Sequence, residues 1–321
     1  MTLGEFELIG TILEALSDTI SGEGVVVGPG DDCAVVEVPP GHELVVTTDV
    51  LVEGRHFPKN SRSDLVGYRS VAVNLSDLAA MGSEPKYLTV AITIEKPDKD
   101  WIVQFANGVA FCAREAGVKI IGGNVARGPL SIAITAHGIV PQGRAILRSG
   151  AQVDDEIYVT GFIGGAGQAL HDFDSLIDMG DQAIETLAAL REQELRCRYF
   201  LPQPRLRLGC GLRSIATSAI DISDGLLADL QHITTASSVG ACIDLDRVPI
   251  WPGTDVLEAV GAGDDYELLF TANASQKNGI RDLIAQTGTS IECIGSVTEL
   301  PTIEVLQGGK PVRPASGFTH F

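Results

Sequence analysis

Six short apolar runs along this chain each stop at small or polar residues, and an Asp or Asn follows at once. They are VVVGPGDDCA (25–34), LVVTTDV (44–50), VAVNLSDLAAMG (71–82), KIIGGNVARG (119–128), AIDISDG (219–225) and GAGDDYELLF (261–270). Runs of this length and bounding read as strand-like, with ends that leave the core. A carboxylate at such an end can meet solvent, a cation or a phosphate. One of the six carries Asn124 where the others carry Asp.

The runs imply a layered fold. VVVGPGDD, HELVVTTDV, KYLTVAITI and LSIAITAHGIV are rich in β-branched residues and read as strands. SDLVGYRSVAVNLSDLAAMG (63–82) sets Leu65, Tyr68, Val71, Ala72 and Leu75 at helical spacing. KDWIVQFANGVAFCAREAG (99–117) does the same, with Asp98 or Asp100 as N-cap and Gly117 as stop. In the second half a helical region over about 165–217 is divided by Pro202 and Pro204. SDGLLADLQHITTAS (223–237) follows as a helix, with Ser223 as its cap and Leu226, Leu227, Leu230 and Ile233 as its apolar face. ECIGSVTE and TIEVLQGGKPV are late strands, the second turning at Gly308 and Gly309. Strands and helices mix without strict βαβ alternation, so the expected class is α+β.

A chain of 321 residues is longer than one core usually grows. Two domains are expected, 1–142 and 143–321, parted in PQGRAILRSGAQVDDEIYVTG (141–161), where Pro, Gly and charge interrupt the apolar pattern.

The net charge of −19 argues against nucleic acid as a partner, because backbone binding needs a basic surface. The sequence holds no apolar run long enough for a membrane span, and MTLGEFELIG has no basic leader, so the expected location is the cytoplasm. Six scattered cysteines lack CxxC or zinc-ligand spacing and read as reduced, small hydrophobic residues. Cys33, inside GDDCA, is expected to be packed.

Mg²⁺ takes oxygen ligands in octahedral geometry, usually one or two carboxylates completed by water and substrate phosphate. Asp31, Asp32, Asp49, Asp77, Asp221 and Asp224 at element ends therefore suggest several ions, since converging carboxylates repel without cations. Thr47, Thr48 and Ser223 add hydroxyl oxygens. The plainer reading of each motif alone is an Asp that makes a turn or caps a helix.

Phosphate recognition needs N–H groups and cations. GPG (28–30), IGGN (121–124) and GFIGGAGQA (161–169) could expose the former; Arg127, Arg144 and Arg148 could supply the latter. There is no GxxxxGK[ST] loop, and neither the HRD nor the DFG element of protein kinases. GFIGGAGQA lacks GxGxxG spacing and reads as a strand-to-helix turn. His56, in VEGRHF, is either a donor to substrate or an ordinary loop residue. Asp264, Asp265 and Glu267 flank Tyr266 just before an apolar strand, and the plainer reading leaves these acids solvated.

Taken in order, GEFELI, GPGDDCA, TTDVLVEGRHF, AVNLSDLAAMG, the GGN and RGPLS strings, RSGA, AIDISDGL, GDDYELLF and GFTHF resemble the thiamine-monophosphate kinase family. That family shares a superfamily with aminoimidazole ribonucleotide synthetase and selenophosphate synthetase. The resemblance spans nearly the whole chain. It implies a two-domain synthetase-like fold and transfer of the ATP γ-phosphoryl group to thiamine phosphate, giving thiamine diphosphate. It also implies homodimers that pair their N-terminal sheets, with ATP and several Mg²⁺ ions bound near that interface.

By motif, Asp32, Thr47, Thr48, Asp49, Asp77, Asn124, Asp221 and Asp224 match the metal ligands. Gly123, Asn124, Arg148 and Ser223 match the ATP contacts. His56, Asp264 and Phe318 match the thiamine-phosphate contacts, where the family often carries Glu in place of Asp264 and Trp or Tyr in place of Phe318. No general base is expected, because the attacking phosphate oxygen, with a second pKa of about 6, is largely ionised at neutral pH.

One segment departs from the family. Where the pattern is GGDTTRG, this chain reads GGNVARG, so the usual ligand is Asn124 and two hydroxyl residues are Val125 and Ala126. An amide oxygen still ligates Mg²⁺ but brings no charge. Two alternatives follow from the same residues: a catalytically weakened paralogue that binds nucleotide or thiamine phosphate, or a sister ATP-dependent synthetase.

Overall fold

The computed structural model describes residues 5–96, 98–171 and 196–313. They divide into two units, one of 5–78, 84–143 and 196–202, the other of 79–83, 144–171 and 203–313. Phe318 and most of the segment 171–204, whose movement the sequence leaves open, lie outside the described residues.

The first unit contains α1 (Glu5–Leu16), β1 (Val25–Val27), β2 (Val35–Val36), β3 (His42–Val52), α2 (Ser63–Ala80), β4 (Glu84–Thr93), α3 (Lys99–Ala116), β5 (Lys119–Ala126) and β6 (Ser131–Pro141). β1 and β2 pair antiparallel, and the main sheet has the order β3-β6-β4-β5. β4 and β5 are its parallel pair, joined by the α3 crossover that parallel strands require. α3 starts where Asp98 accepts the Asp100 N–H at 2.9 Å and stops at Gly117, φ 71°. Its Ile102, Phe105, Val109 and Ala113 are buried at helical spacing. α2 and α3 approach closely through glycine: a Cβ on Gly108 would lie 1.9 Å from the Asp64 carbonyl oxygen.

Period-two alternation gives β3 two unlike faces. Leu51 is buried and Thr47 and Asp49 are half-buried, whereas Leu44, Val46 and Val50 are exposed.

The second unit contains β7 (Glu156–Thr160), α4 (Gly165–His171), α5 (Leu206–Leu212), β8 (Ser218–Asp221), α6 (Leu226–Ser237), β9 (Gly240–Asp244), α7 (Val256–Ala259), β10 (Leu268–Ala272), α8 (Lys277–Thr287), β11 (Ile291–Thr298), β12 (Ile303–Gln307) and β13 (Lys310–Pro311). Its sheet runs β13-β12-β9-β11-β7-β10-β8, antiparallel except at β12/β9. β7, β8 and β10 are buried along almost their whole length, whereas β11 and β12 are only partly covered and β13 is exposed. Ile157, Val159, Ile220, Leu269 and Ile294 share a core with Leu226, Leu230 and Ile233 of α6. Tyr158, Ala219, Leu268 and Phe270 share another with α5 and α8, where the Tyr158 and Phe270 rings stack at 5.2 Å. Strands and helices in these two mixed units make the chain α+β.

Three local expectations need correction. α6 begins at Leu226 and Gly225 is its N-cap residue, so Ser223 does not cap it. Cys33 is exposed rather than packed. The acids of GDDYELLF are not all solvated: Asp265 and Glu267 are buried. GFIGGAGQA does form the turn from β7 into α4, with Gly161 at φ 60° and Gly164 at φ 85°. Among the described residues, no helix is long and apolar enough to cross a membrane.

Candidate functional site

In α2, Ser70, Asn74 and Asp77 recur at spacings of four and three, which puts them on one helix face. That face borders the edge strand β3. Asn74 Oδ1 accepts the Asp49 backbone N–H at 3.1 Å, and Asn74 Nδ2 donates to the Ser70 carbonyl at 3.0 Å. Asp77 Oδ2 accepts the Thr47 hydroxyl at 2.5 Å. Thr47 and Asp49, two residues apart on the strand, face the same way. Burial, and after it the charge of Asp77, pushes the Asp49 carboxyl up to about 6. Two acids and a hydroxyl held this close form an all-oxygen donor set that a divalent cation would relieve of its repulsion, and the set fits Mg²⁺. Asn74 was not singled out from sequence, although a polar residue inside VAVNLSDL, three before Asp77, is a readable signal.

Thr48 points away from this cluster, its hydroxyl donating to Thr135 Oγ1 at 2.9 Å. Asn124 also lies on that opposite face: the register runs Val50, Ala133, Ala91, Asn124, whereas Asp49 aligns with Ile134, Val90 and Gly123. Three strand spacings make Asn124 about 14 Å distant from the β3 end of its row. Within one copy Asn124 and Asp49 therefore cannot share an ion, since ligands of one Mg²⁺ lie only about 2.1 Å from it. Gly123 is required beside it, because a Cβ there would meet the Val90 carbonyl oxygen at 2.0 Å. Asp32 is exposed in its loop, and its N–H donates to Asp31 Oδ1 at 2.8 Å.

His56 is half-buried on the turn after β3. Its Nδ1 accepts the Val52 N–H at 3.0 Å, so the neutral ring carries its proton on Nε2 and can donate from there. Tyr199 Oη donates to the His56 carbonyl at 2.8 Å, and the buried Arg69 guanidinium lies 3.9 Å from the Tyr199 ring centre. These supports were not visible in the sequence, being more than a hundred residues apart.

The second unit joins two of the opening motifs through their backbones. β8 pairs with β10, placing Asp221 opposite Leu268, and the pairing continues past the strand ends. Tyr266 N–H donates to the Ile222 carbonyl and Asp264 N–H to the Ser223 carbonyl, both at 2.9 Å. Asp264 and Tyr266 have φ of 67° and 51°, uncommon for residues other than glycine, and Tyr266 Oη donates to Asp264 Oδ1 at 3.2 Å. Asp221 is buried, while Ser223, Asp224 and Asp264 are half-buried.

Asp265 and Glu267 serve the scaffold. Asp265 accepts the N–H groups of Gly164 at 2.7 Å and Ala166 at 3.3 Å, so these amides of GFIGGAGQA are taken by the protein's own carboxylate. Glu267 binds the Arg205 guanidinium with both oxygens and accepts the Thr160 hydroxyl at 2.6 Å. Arg148 is exposed in a loop tied to α6, where its carbonyl accepts from Ser237 Oγ, and that hydroxyl accepts the Gly150 and Ala151 N–H groups. Arg144 donates to the Arg213 carbonyl at 3.3 Å. Asp224, Asp229 and His232 place ligand atoms within 4.8 Å of one another. Of these only Asp224 was expected from sequence.

Comparison with known proteins shows the family and the fold. Residues 30–140 match the model of the AIR synthase related protein, N-terminal domain. Over 332 residues the chain is 37% identical to the thiamine-monophosphate kinases of Salmonella typhimurium and Escherichia coli K12, covering all of this chain and 99% of each relative. The crystal structure of thiamine-monophosphate kinase from Stenotrophomonas maltophilia K279a superposes with a TM-score of 0.83 at 38% identity, covering 97% of this chain and 99% of that one. The structure of AaThiL complexed with AMPPCP and TMP gives 0.74 at 28% identity, covering 99% and 97%. Escherichia coli HypE, a hydrogenase maturation protein, shares the fold at 17% identity and a TM-score of 0.72, covering 95% of this chain and 94% of that one. Motif order, fold and end-to-end likeness agree: the chain belongs to the thiamine-monophosphate kinase family.

Proposed function

We propose that the protein transfers the γ-phosphoryl group of ATP to thiamine phosphate, forming thiamine diphosphate and ADP. The observation that carries this reading is the full-length likeness, 37% over 332 residues, to relatives of that name. The relative complexed with AMPPCP and TMP supports a site for two phosphate-bearing ligands.

The residues assign the work as follows. Within the first unit Asp49, Asp77 and Thr47, with Asp32, would hold Mg²⁺; within the second, Asp221 and Asp224 would offer carboxylates to an ion of their own. The ions when bound supply positive charge to the phosphate oxygens and fix their geometry. His56 would contact the acceptor's phosphate, and Arg148 with Ser223 would orient the nucleotide. Asp264 would contact the thiamine phosphate. No side chain need remove a proton, so positioning in line is the main task of the protein.

Asn124, on the other face of the sheet from Asp49, would serve a separate ion and bring it an amide oxygen without the charge an Asp would add. Asn124→Asp is expected to lower the Mg²⁺ concentration for half-maximal turnover about fivefold, the effect of about 1 kcal/mol of added attraction in a solvated site. An unchanged Mg²⁺ titration would remove residue 124 from the ligand set.

Self-association belongs to the same reading. Leu44, Val46 and Val50 are 46, 53 and 51% exposed on one face of β3, an apolar strip that a second copy would cover. A solution mass of one 33.8 kDa chain would overturn it. A cytoplasmic location follows from charged substrates that do not pass a bilayer unaided, and cell fractionation checks it.

Incubation with Mg²⁺, ATP and thiamine phosphate should give ADP and thiamine diphosphate in equal amounts. Nucleotide binding without turnover would favour the weakened paralogue. ATP turnover only with another acceptor would favour the sister synthetase.

A further inference from the structure

We infer that Asp229 is a positioning residue that holds the loop 222–225 in the shape that presents Ser223 and Asp224. The inference deepens the kinase reading and rests on it for what the loop binds. Asp229 lies on the first turn of α6 and is 2% exposed. One oxygen, Oδ2, accepts three successive backbone N–H groups, from Ser223 at 3.0 Å, Asp224 at 3.1 Å and Gly225 at 3.2 Å.

Successive amides converge on one point only when the backbone curls into a concave nest, a shape that attracts anions. Here the protein's own carboxylate fills it. Gly225 makes the curl possible with φ 119°, and a Cβ there would meet the Gly261 carbonyl oxygen at 3.0 Å. The Asp229 N–H in turn donates to the Gly225 carbonyl at 2.9 Å, so loop and helix are tied at both ends.

The consequence is specific. The amides of Ser223, Asp224 and Gly225 face Asp229 and are not offered to a phosphate. Phosphate contacts from this loop must then come from the Ser223 side chain rather than from its amides, and the nest sets the directions of the Ser223 and Asp224 side chains.

Two substitutions separate this role from direct ligation and from simple packing. Asp229→Ala removes the acceptor; Asp229→Asn keeps an acceptor oxygen and removes the charge. Amide exchange at Ser223, Asp224 and Gly225, read by NMR, should speed up about a hundredfold in the alanine protein and stay within about threefold of the parent in the asparagine protein. With alanine, KM for ATP and the Mg²⁺ half-saturation should rise about tenfold or more, with kcat changed less, and asparagine should restore both. A purely structural loss would lower the folded fraction and Vmax while leaving KM and the Mg²⁺ titration unmoved.

Unchanged exchange with alanine would overturn the inference. So would an asparagine protein that loses Mg²⁺ affinity as strongly as alanine, which would make Asp229 a ligand. Should the alanine protein not fold, Asp229→Glu, which moves the oxygens by one methylene, takes its place under the same criteria. If the parent shows no turnover, the kinase reading has failed, and the exchange measurement still decides the positioning role.

Discussion

Asp77→Ala is expected to lower kcat/KM for MgATP about a thousandfold, the equivalent of about 4 kcal/mol of transition-state stabilisation. On the proposed reading the change removes one carboxylate from a cluster that also holds Thr47 and Asp49. Its partner gives an independent readout. The Asp49 carboxyl, about 6 against an ordinary 3.8, is raised first by burial and then by Asp77. A raised carboxyl favours the folded, ion-free protein below the ordinary value, and that contribution is lost as pH rises through about 6.

Mg²⁺ competes with the same proton. Its half-saturation should therefore improve as pH rises from about 5 to about 7, and with Asp77→Ala the transition should move to lower pH. Mg²⁺ titrations across that range, followed by steady-state turnover, check both. A loss of less than tenfold, or a flat pH dependence, would remove the pair from the proposed ion site.

Arg205→Met should destabilise the second unit by about 3–5 kcal/mol, because it leaves the Glu267 carboxylate buried without its cation. Glu267 is 1% exposed and receives Arg205 Nε at 2.7 Å beside the Thr160 hydroxyl. The space around it is fixed as well: a Cβ on Gly161 would lie 2.0 Å from Glu267 Oε1. The midpoint of thermal unfolding should fall by about 10 °C. Adding Glu267→Gln should recover part of the loss, since the buried charge is then gone. A midpoint within about 2 °C of the parent would show that water reaches this carboxylate readily.

Much of the scaffold was legible because its signals are local. Alternating β-branched residues marked β3, β4 and β6. The α3 boundaries follow from Asp98 and Gly117, whose capping depends on nearest neighbours in sequence. The acids divide differently. Thr47, Asp49 and Asp77 meet as their motifs suggested, since one strand and one helix face suffice to place them.

Asp265 and Glu267 look like solvated loop acids when read alone. Their burial depends on the amides of Gly164 and Ala166 and on Arg205, all between 60 and about 100 residues away. Asn124 sits in the right motif, yet the register, which skips a residue at Leu88/Thr89, decides its face, and no local pattern records that skip. Ser223 looked like a helix cap for the ordinary reason that Ser caps helices. Here Asp229 takes the amides of Ser223, Asp224 and Gly225.

The backbone bonds from Asp264 to Ser223 and from Tyr266 to Ile222 bear on how such an enzyme could be redesigned. The loop assigned to the acceptor and the loop assigned to the nucleotide are one stitched piece, with two non-glycine residues kept at positive φ along the seam. Substitutions aimed at acceptor choice will thus carry over into nucleotide affinity, and pairs drawn from the two loops will be non-additive. A search for altered specificity should vary both loops together, because a library confined to one explores a landscape whose other axis is tied to it.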